Sequence, residues 1–117
     1  SAFENVIRNA LAYTQDGTTV IVRLLHDPRD ARCVSISVRD HGPGVPEGEL
    51  ARIFEPFYRT DSARTRSSGG TGLGLAIARR AVEWHGGKIV ARNAEGGGLE
   101  VTIRLPTTFP AAPAQRI

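Results

Sequence analysis

The segment CVSISVRDHGPG, residues 33–44, decides the fold. Apolar and polar residues alternate strictly from Cys33 to Asp40, which is the period of a β-strand with one buried face. The preceding segment TTVIVRLL, residues 18–25, is rich in β-branched residues and predicts a second strand, with a turn over residues 26–30 between the two. The sequence therefore predicts a β-hairpin that runs into a glycine-rich loop at residues 42–44.

Outward from this hairpin, helical and strand patterns follow one another along the chain. Apolar residues recur at helical spacing over residues 3–13 and 72–84, and a shorter helix is predicted over residues 47–53. Residues 88–92 and 99–105 predict two final strands joined by a glycine turn. Hairpins combined with helices predict an α+β fold: a two-layer α/β sandwich whose mixed, mostly antiparallel sheet is covered on one face by helices.

The pattern also predicts the domain limits. The 117 residues suffice for one core, which we place at residues 1–106. Residues 107–117, with their prolines and alanines, predict a flexible C-terminal tail. The first helix is expected to start at or before Ser1, so the chain is interpreted as an N-terminally truncated fragment of a longer protein.

Composition excludes several classes of function. No run of about eighteen apolar residues predicts a membrane span, and residues 1–5 lack the pattern of a signal peptide. The formal net charge is +3, but the arginines are scattered and no basic run contains aromatic residues, so nucleic acid is not the expected partner. Lys88 is the only lysine, which excludes a Walker phosphate loop.

A glycine cluster at residues 69–74 runs directly into the second long helix. Glycines before a helix N-terminus expose backbone N–H groups and the positive end of the helix dipole, an arrangement that favours phosphate. A dinucleotide-binding loop would need a strand immediately before the glycines, and residues 64–68, RTRSS, do not predict one. The cluster predicts a phosphate site or, equally simply, a flexible turn.

Three other sequence features indicate candidate functional residues. Asn5 and Asn9 share one face of the first helix, either as a solvated polar face or as oxygen ligands for a hard cation. Asp40 lies at the end of a buried strand, where it is either a turn residue or a hydrogen-bond acceptor for an exocyclic amine of a ligand. The aromatic cluster at residues 53–59 predicts the anchor of a lid formed by residues 55–70.

In this order the motifs resemble the N, G1, F and G2 boxes of one family: ENVIRNA (residues 4–10), DHGPG (40–44), FEPFYR (54–59) and GTGLGL (70–75). The chain resembles the catalytic, ATP-binding domain of bacterial sensor histidine kinases, in the group that includes DNA gyrase B, the Hsp90 chaperone and MutL. The resemblance extends to Pro106 and implies the Bergerat fold of that group. Residues 57–78 are most similar to the CpxA-type envelope-stress sensors.

The resemblance implies a role for each matching residue. At the phosphates, Asn9 would hold Mg²⁺, with Asn5 beside it, and the residues that close over the phosphates would be Gly70, Thr71, Gly72, Leu73 and Gly74. At the base, Asp40 would accept a hydrogen bond from the adenine amino group, and the residues around the ring would be Gly42, Gly44, Tyr13 and Thr102.

The implied reaction is transfer of the ATP γ-phosphoryl group to a histidine on a separate dimerisation domain, for relay to a response regulator. Glu4 would polarise the attacking imidazole or accept its proton, and Arg59 would reach the γ-phosphate or the substrate helix. None of the three histidines of this chain has the expected acceptor context. The acceptor domain is therefore expected outside it, and the fragment alone is expected to bind ATP or ADP without full turnover.

The resemblance also implies a cytoplasmic domain that makes no contact with membrane or nucleic acid, within a parent that is an inner-membrane sensor. Family members carry a basic residue just before Tyr13; here it is Ala12, and Arg8 one turn earlier is the candidate substitute for phosphate contact. Ala12 favours one alternative, a degenerate nucleotide-binding module. A second alternative is an ATPase or serine kinase of the same group, against which the F box argues.

Overall fold

The computed structural model describes residues 1–58 and 72–107. In these residues the helices and strands are α1 (Ala2–Tyr13), β1 (Ile21–Asp27), β2 (Asp30–Arg39), α2 (Gly74–Trp84), β3 (Lys88–Asn93) and β4 (Leu99–Pro106). The strand order is β1-β2-β4-β3, and each neighbouring pair is antiparallel. The predicted α+β architecture is confirmed, with a sheet that is antiparallel throughout its described strands.

The two faces of this sheet differ in what covers them. On β4, Leu99, Val101 and Ile103 are buried toward the helices, and the residues between them lie on the other side. The strand register continues this division across the sheet, because Val101 pairs with Val38 of β2 and Ile103 pairs with Ile89 of β3. We call the side of Val101 the helix-side face and the opposite side the open face.

Small side chains let the two helices pack closely over the helix-side face. α1 buries Val6 and Ala10, and α2 contributes Ala78 and Val82, which are almost wholly buried. Close packing of such side chains at native density is sensitive to the loss or gain of a single methyl group. The helix-side face therefore carries the single described core, to which the short segment before α2 adds Ile53 and Phe54.

The first helix begins at Ala2, one residue after Ser1, where the sequence predicted a start at or before Ser1. Ser1 is its N-cap: the Ser1 hydroxyl accepts a hydrogen bond from the Glu4 N–H at 3.3 Å, and the Glu4 carboxylate lies 3.1 Å from the Ser1 nitrogen. This reciprocal pair is a capping box, which the spacing Ser-x-x-Glu signals in sequence.

Two other segments differ from the prediction because of local hydrogen bonds. β1 begins at Ile21, later than the predicted residue 18, because the Thr18 N–H and hydroxyl both bond to the Gln15 carbonyl in a turn. The predicted helix over residues 47–53 is instead two 3₁₀ turns, Glu47–Glu49 and Arg52–Phe54. In each case local turn hydrogen bonds override the propensity that the prediction used.

Several predictions lie outside the described residues. They concern Arg59, Gly70, Thr71, most of the predicted lid over residues 55–70 and all but the first residue of the predicted tail. Within the part of the chain that the structure describes, none of the helices has the length and apolar character needed to cross a bilayer.

Candidate functional site

Asp40 is the one buried charged residue among the described residues, with only 2% of its surface exposed. Its Oδ1 accepts hydrogen bonds from the Gly42 N–H at 2.8 Å and the Leu99 N–H at 3.1 Å. Its own N–H donates to the Leu99 carbonyl at 3.0 Å. Both hydrogen bonds from described residues fall on Oδ1, which leaves Oδ2 available as an acceptor for a ligand.

Two glycines allow the backbone to close around Asp40. A Cβ at Gly98, where φ is +92°, would overlap the Asp40 carbonyl oxygen, and a Cβ at Gly42 would overlap the Tyr13 carbonyl oxygen. Any other residue would force these backbone segments apart. Asp40 is thus held by main-chain contacts from α1, from its own loop and from β4.

The loop after Asp40 is tied to the end of α1. The His41 N–H donates to the Thr14 Oγ1 at 3.0 Å, and the Gln15 N–H donates to the His41 carbonyl at 3.3 Å. The His41 ring Nδ1 lies 2.7 Å from the Thr19 carbonyl, which can only accept, so Nδ1 carries the proton. These bonds bring Tyr13, the last residue of α1, next to the Asp40 loop.

Asn93 secures the far side of the same loop, and the sequence analysis missed it. Its Oδ1 accepts from the Val45 N–H at 2.9 Å, and its Nδ2 donates to the Val45 carbonyl at 2.6 Å and to Glu47 at 2.8 Å. At Gly44, where φ is +74°, a Cβ would press against the Asn93 amide oxygen. No sequence signal marks Asn93, because its partners lie nearly fifty residues earlier in the chain.

A stripe of three half-buried residues runs along α1 toward this loop. Asn5, Asn9 and Tyr13 are four residues apart, which places them on one flank of the helix, whereas Glu4 and Arg8 are exposed. The Tyr13 end of the stripe adjoins Gly42. The two predicted amides therefore lie on the same flank as the residue that meets the Asp40 loop.

Glu4 lies at the N-terminal end of α1 in a positively charged setting. Its hydrogen bond to the Ser1 amino group, the charge of that group and the charge of Arg8 lower the pKa of the carboxyl below its ordinary value. Glu4 is therefore ionised at neutral pH. An ionised carboxylate can orient an N–H group by accepting a hydrogen bond from it, and a lowered pKa makes it a weaker proton acceptor.

At the N-terminus of α2, Leu73 is the N-cap, and no side chain among the described residues caps the first turn. Gly72, with φ of +80°, accepts a hydrogen bond from the Phe57 N–H at 2.9 Å. The first backbone N–H groups of a helix lack intrahelical partners and attract anions.

The aromatic cluster is anchored in two ways. Ile53 and Phe54 are buried in the core, as the predicted anchor requires. The Tyr58 hydroxyl donates to Glu49, and the Arg52 guanidinium lies 4.7 Å from the Tyr58 ring centre. Phe57 differs: it is 71% exposed and has a φ of 65°, a left-handed conformation unusual for a bulky residue.

The structure does not bring Thr102 to this group. Thr102 pairs with Ser37 and Val90 on the open face, opposite to the helix-side face that carries Asp40 and Leu99. The prediction placed a polar side chain of β4 near the base without counting the alternation of the strand. The β4 residue that adjoins Asp40 is Leu99, through its backbone.

No ready-made metal cluster accompanies these residues. Across residues 1–58 and 72–107, no group of three histidine, cysteine, aspartate or glutamate side chains could hold an ion. A cation at this site would therefore rest on amide oxygens such as that of Asn9 and on oxygens of the ligand itself. Mg²⁺ is commonly bound in this way, with few protein ligands and substrate phosphates.

These features fit the nucleotide-binding site that the motifs predict: a buried carboxylate beside two closely packed glycines, a helix flank with two amides, and a helix N-terminus that no described side chain caps. A family model described as "Histidine kinase-, DNA gyrase B-, and HSP90-like ATPase" matches residues 1–108. The chain belongs to this family, as its four motifs predicted.

Comparison with individual proteins narrows the class to sensor histidine kinases. The chain is 44% identical over 104 residues to the sensor protein kinase WalK of Staphylococcus aureus, covering 89% of this chain and 25% of that protein. It is 37% identical to the mycobacterial sensor histidine kinase MprB, with a TM-score of 0.80 over 90% of this chain and 69% of the other. The chain is an ATPase-type catalytic domain of this class and spans about a quarter of that curated relative. The similarity to CpxA-type sensors stays a prediction.

A further solved structure shares the fold. The catalytic domain of the histidine kinase ThkA is 30% identical, with a TM-score of 0.71 over 92% of this chain and 64% of that chain.

Proposed function

We propose that this domain binds Mg-ATP and transfers the γ-phosphoryl group to a histidine of a separate dimerisation domain. One observation carries the proposal: the buried Asp40 has one oxygen held by backbone N–H groups and the other available to a ligand. A carboxylate in that setting selects a group that can donate a hydrogen bond, such as the amino group of adenine.

The base would lie at the Asp40 end of the site. The Oδ2 atom would accept the hydrogen bond of the adenine amino group, and the loop that contains Gly42 and Gly44 would line the pocket beside the ring. Tyr13 would pack against the ring from the end of α1. A relative of this chain, ShkA, 36% identical over 90% of this chain, has been solved in complex with AMPPNP, which supports a nucleotide site in this fold.

The phosphates would lie between the α1 flank and the N-terminus of α2. Asn9 would bind Mg²⁺ through its amide oxygen, with Asn5 beside it and Arg8 as a nearby cation. The first N–H groups of α2 would bind phosphate oxygens. The residues proposed to close over the phosphates are Gly70, Thr71, Gly72, Leu73 and Gly74.

The chemical step needs positioning and charge neutralisation more than covalent help from the protein. A nitrogen of the acceptor imidazole would form a bond to the γ-phosphorus as the bond to the β,γ-bridging oxygen breaks, and ADP would leave. Glu4 would accept a hydrogen bond from the other imidazole N–H and orient the ring. Arg59 would contact the γ-phosphate or the acceptor helix.

In the parent protein, the phosphoryl group would then pass to an aspartate of a response regulator. We place the domain in the cytoplasm, joined to an inner-membrane sensor, and expect residues 1–117 alone to bind ATP or ADP with little turnover.

Phosphotransfer to the supplied acceptor domain of the parent protein tests the proposal. The domain is incubated with γ-labelled ATP and the acceptor domain, and the label should appear on the acceptor in an acid-labile, base-stable form, as expected of phosphohistidine. An acceptor variant with glutamine in place of the histidine is the control and should stay unlabelled. Acid-stable label on the acceptor would indicate a serine kinase, and release of free phosphate would indicate an ATPase. ATP that stays bound and is not hydrolysed would indicate a degenerate nucleotide-binding module. Each of these results would contradict the proposal.

A further inference from the structure

The open face of the sheet carries an unusual concentration of positive charge. The strand register places its side chains in rows that cross the sheet. One row is Ile21, Arg39, Glu100 and Arg92; the next is Arg23, Ser37, Thr102 and Val90; the third is Leu25, Ser35, Arg104 and Lys88. Each row contains at least one cation, and the middle of the face is lined with hydroxyl groups.

The carboxylates of this face are less exposed to solvent than the arginines with which they pair. Arg92 pairs with Glu100 at 2.6 Å, and the side chains are 69% and 17% exposed, respectively. Arg104 pairs with Asp27 at 2.6 Å, with side chains 42% and 12% exposed. A hydrogen bond from the Arg29 N–H and the charge of Arg104 lower the pKa of Asp27, so this carboxylate is ionised at neutral pH. The other cations of this face differ in exposure. Arg39 is half-buried and donates to the carbonyls of Glu95 and Gly97. Arg23, Lys88 and Arg92 are exposed, so these exposed cations rather than the carboxylates face the solvent.

The balance of charge is positive even with both pairs intact. The rows and the Asp27 position hold two carboxylates and five cations, which are Arg23, Arg39, Lys88, Arg92 and Arg104. Residues 1–58 and 72–107 as a whole hold eleven cations and eleven carboxylates, so the surplus of three cations on this face is balanced by acidic residues elsewhere in the described part of the chain.

Exposed apolar residues on both edge strands indicate which class of anionic partner the open face would bind. Leu25 is 61% exposed and Val90 is 58% exposed, one on each edge strand. Exposed arginines combined with aliphatic side chains are typical of protein interfaces. A surface for single-stranded nucleic acid would instead offer aromatic side chains for stacking, and the described rows contain none.

We propose that the open face docks an acidic surface of a partner protein. Leu25 and Val90 contact its apolar residues, and the exposed cations pair with its carboxylates. A shallow hollow of about 290 Å³, lined by Asp27, Pro28, Arg29, Ser35 and Arg104, accommodates one acidic side chain of that partner. The docking surface lies on the opposite side of the sheet from Asp40, so a partner and a nucleotide bind the domain together.

A binding measurement with matched variants tests this assignment. The probe is a fluorescent peptide of repeating Glu-Leu-Glu triplets, followed by fluorescence anisotropy with the intact chain. The double variant Arg23→Gln, Lys88→Gln removes two exposed cations from the open face. The control Arg79→Gln, Arg80→Gln removes two exposed cations from α2 and leaves the same net charge. A third variant, Leu25→Ser, removes an apolar contact and no charge.

The open-face double variant should weaken peptide binding at least fivefold and the α2 control less than twofold. Leu25→Ser should weaken it about threefold, and ATP affinity should stay unchanged in all three. Equal losses in both double variants would show non-specific attraction and overturn the proposal, as would a wild type that does not bind the peptide. Tighter binding of a single-stranded oligonucleotide or of phosphatidylserine vesicles than of the peptide, dependent on Arg23 and Lys88, would assign the face to another class of partner.

Discussion

The two ends of the proposed nucleotide site are built from different groups. At the base end, Asp40 is buried and held by backbone N–H groups of Gly42 and Leu99, and its surroundings tolerate no extra atom at Gly42 or Gly98. At the phosphate end, Asn5 and Asn9 are half-buried side chains on a helix flank, and the N-terminus of α2 has no side-chain cap among the described residues. The base end is fixed by main-chain geometry, and the phosphate end is a set of side chains and free N–H groups.

This difference predicts how the two ends respond to mutation. A change at the base end should disturb the fold or the choice of base, because one side chain, that of Asp40, holds the backbone through Oδ1 and would face the ligand through Oδ2. A change at the phosphate end removes one ligand contact and leaves the fold intact. Four variants test the comparison, in order of decreasing expected effect.

Gly98→Ala should cost the most, about 3 kcal/mol of unfolding free energy, because its Cβ would overlap the Asp40 carbonyl in a left-handed backbone conformation. The matched control is Gly97→Ala, which has φ of +108° and nothing within 4 Å of the added Cβ. Urea denaturation gives the loss of unfolding free energy in each variant. Both variants share the backbone strain of a positive φ, so the difference between them measures the cost of the steric overlap at residue 98. Equal losses of stability would show that the tight approach to Asp40 is not what the glycine provides.

Asp40→Asn should weaken ATP binding roughly thirtyfold, or about 2 kcal/mol. The asparagine oxygen can still accept from Gly42 and Leu99, while its NH₂ group replaces the acceptor that faces the adenine amino group. Inosine triphosphate, which carries a carbonyl at that position, should bind the variant better than ATP does. Calorimetry with ATP, inosine triphosphate and inorganic triphosphate checks this, and equal losses for all three would remove Asp40 from the base pocket.

Asn9→Ala should abolish the strengthening of ATP binding by Mg²⁺, with about a tenfold loss of affinity in its presence. Asn5→Ala, one turn earlier on the same flank, is the control: it should weaken ATP binding and keep the magnesium dependence. Both variants should unfold at nearly the wild-type temperature. If Asn9→Ala keeps the wild-type response to magnesium, the ion is held elsewhere.

Glu4→Gln should have the smallest effect, a slight loss of thermal stability at pH 7. Because the pKa of Glu4 is lowered in the folded state, its charge stabilises the fold above the ordinary value of 4.5 and ceases to do so as pH falls through the folded value. Glutamine keeps the capping hydrogen bond and removes the charge. The difference between wild type and variant should shrink in thermal melts as pH falls below 4.5 and vanish once the carboxyl is protonated in the folded state. A difference that does not change with pH would point to the hydrogen bond instead.

Much of the fold and the base end could be predicted from local sequence. The alternation of residues 33–40 locates β2, and the helical spacing of residues 3–13 locates α1. Asp40 and Gly42 follow directly from the end of that strand. These features depend on periods of two and 3.6 residues, which a short window of sequence contains.

The parts that could not be predicted depend on contacts between distant segments. Asn93 bonds to Val45, and Leu99 bonds to Asp40, only because β4 and β3 lie beside the loop after β2. Thr102 was assigned to the wrong face because the register of β4 was not known. The exposed cations of the open face are likewise scattered in sequence and meet only in the sheet.

The most direct test of the site is a calorimetric titration of the wild-type chain with ATP and with GTP, each with and without Mg²⁺. The account predicts saturable binding of ATP that magnesium strengthens, and much weaker binding of GTP, whose carbonyl would face the Asp40 carboxylate. Equal affinity for the two nucleotides, or no binding of ATP, would contradict the assignment of Asp40 to the base.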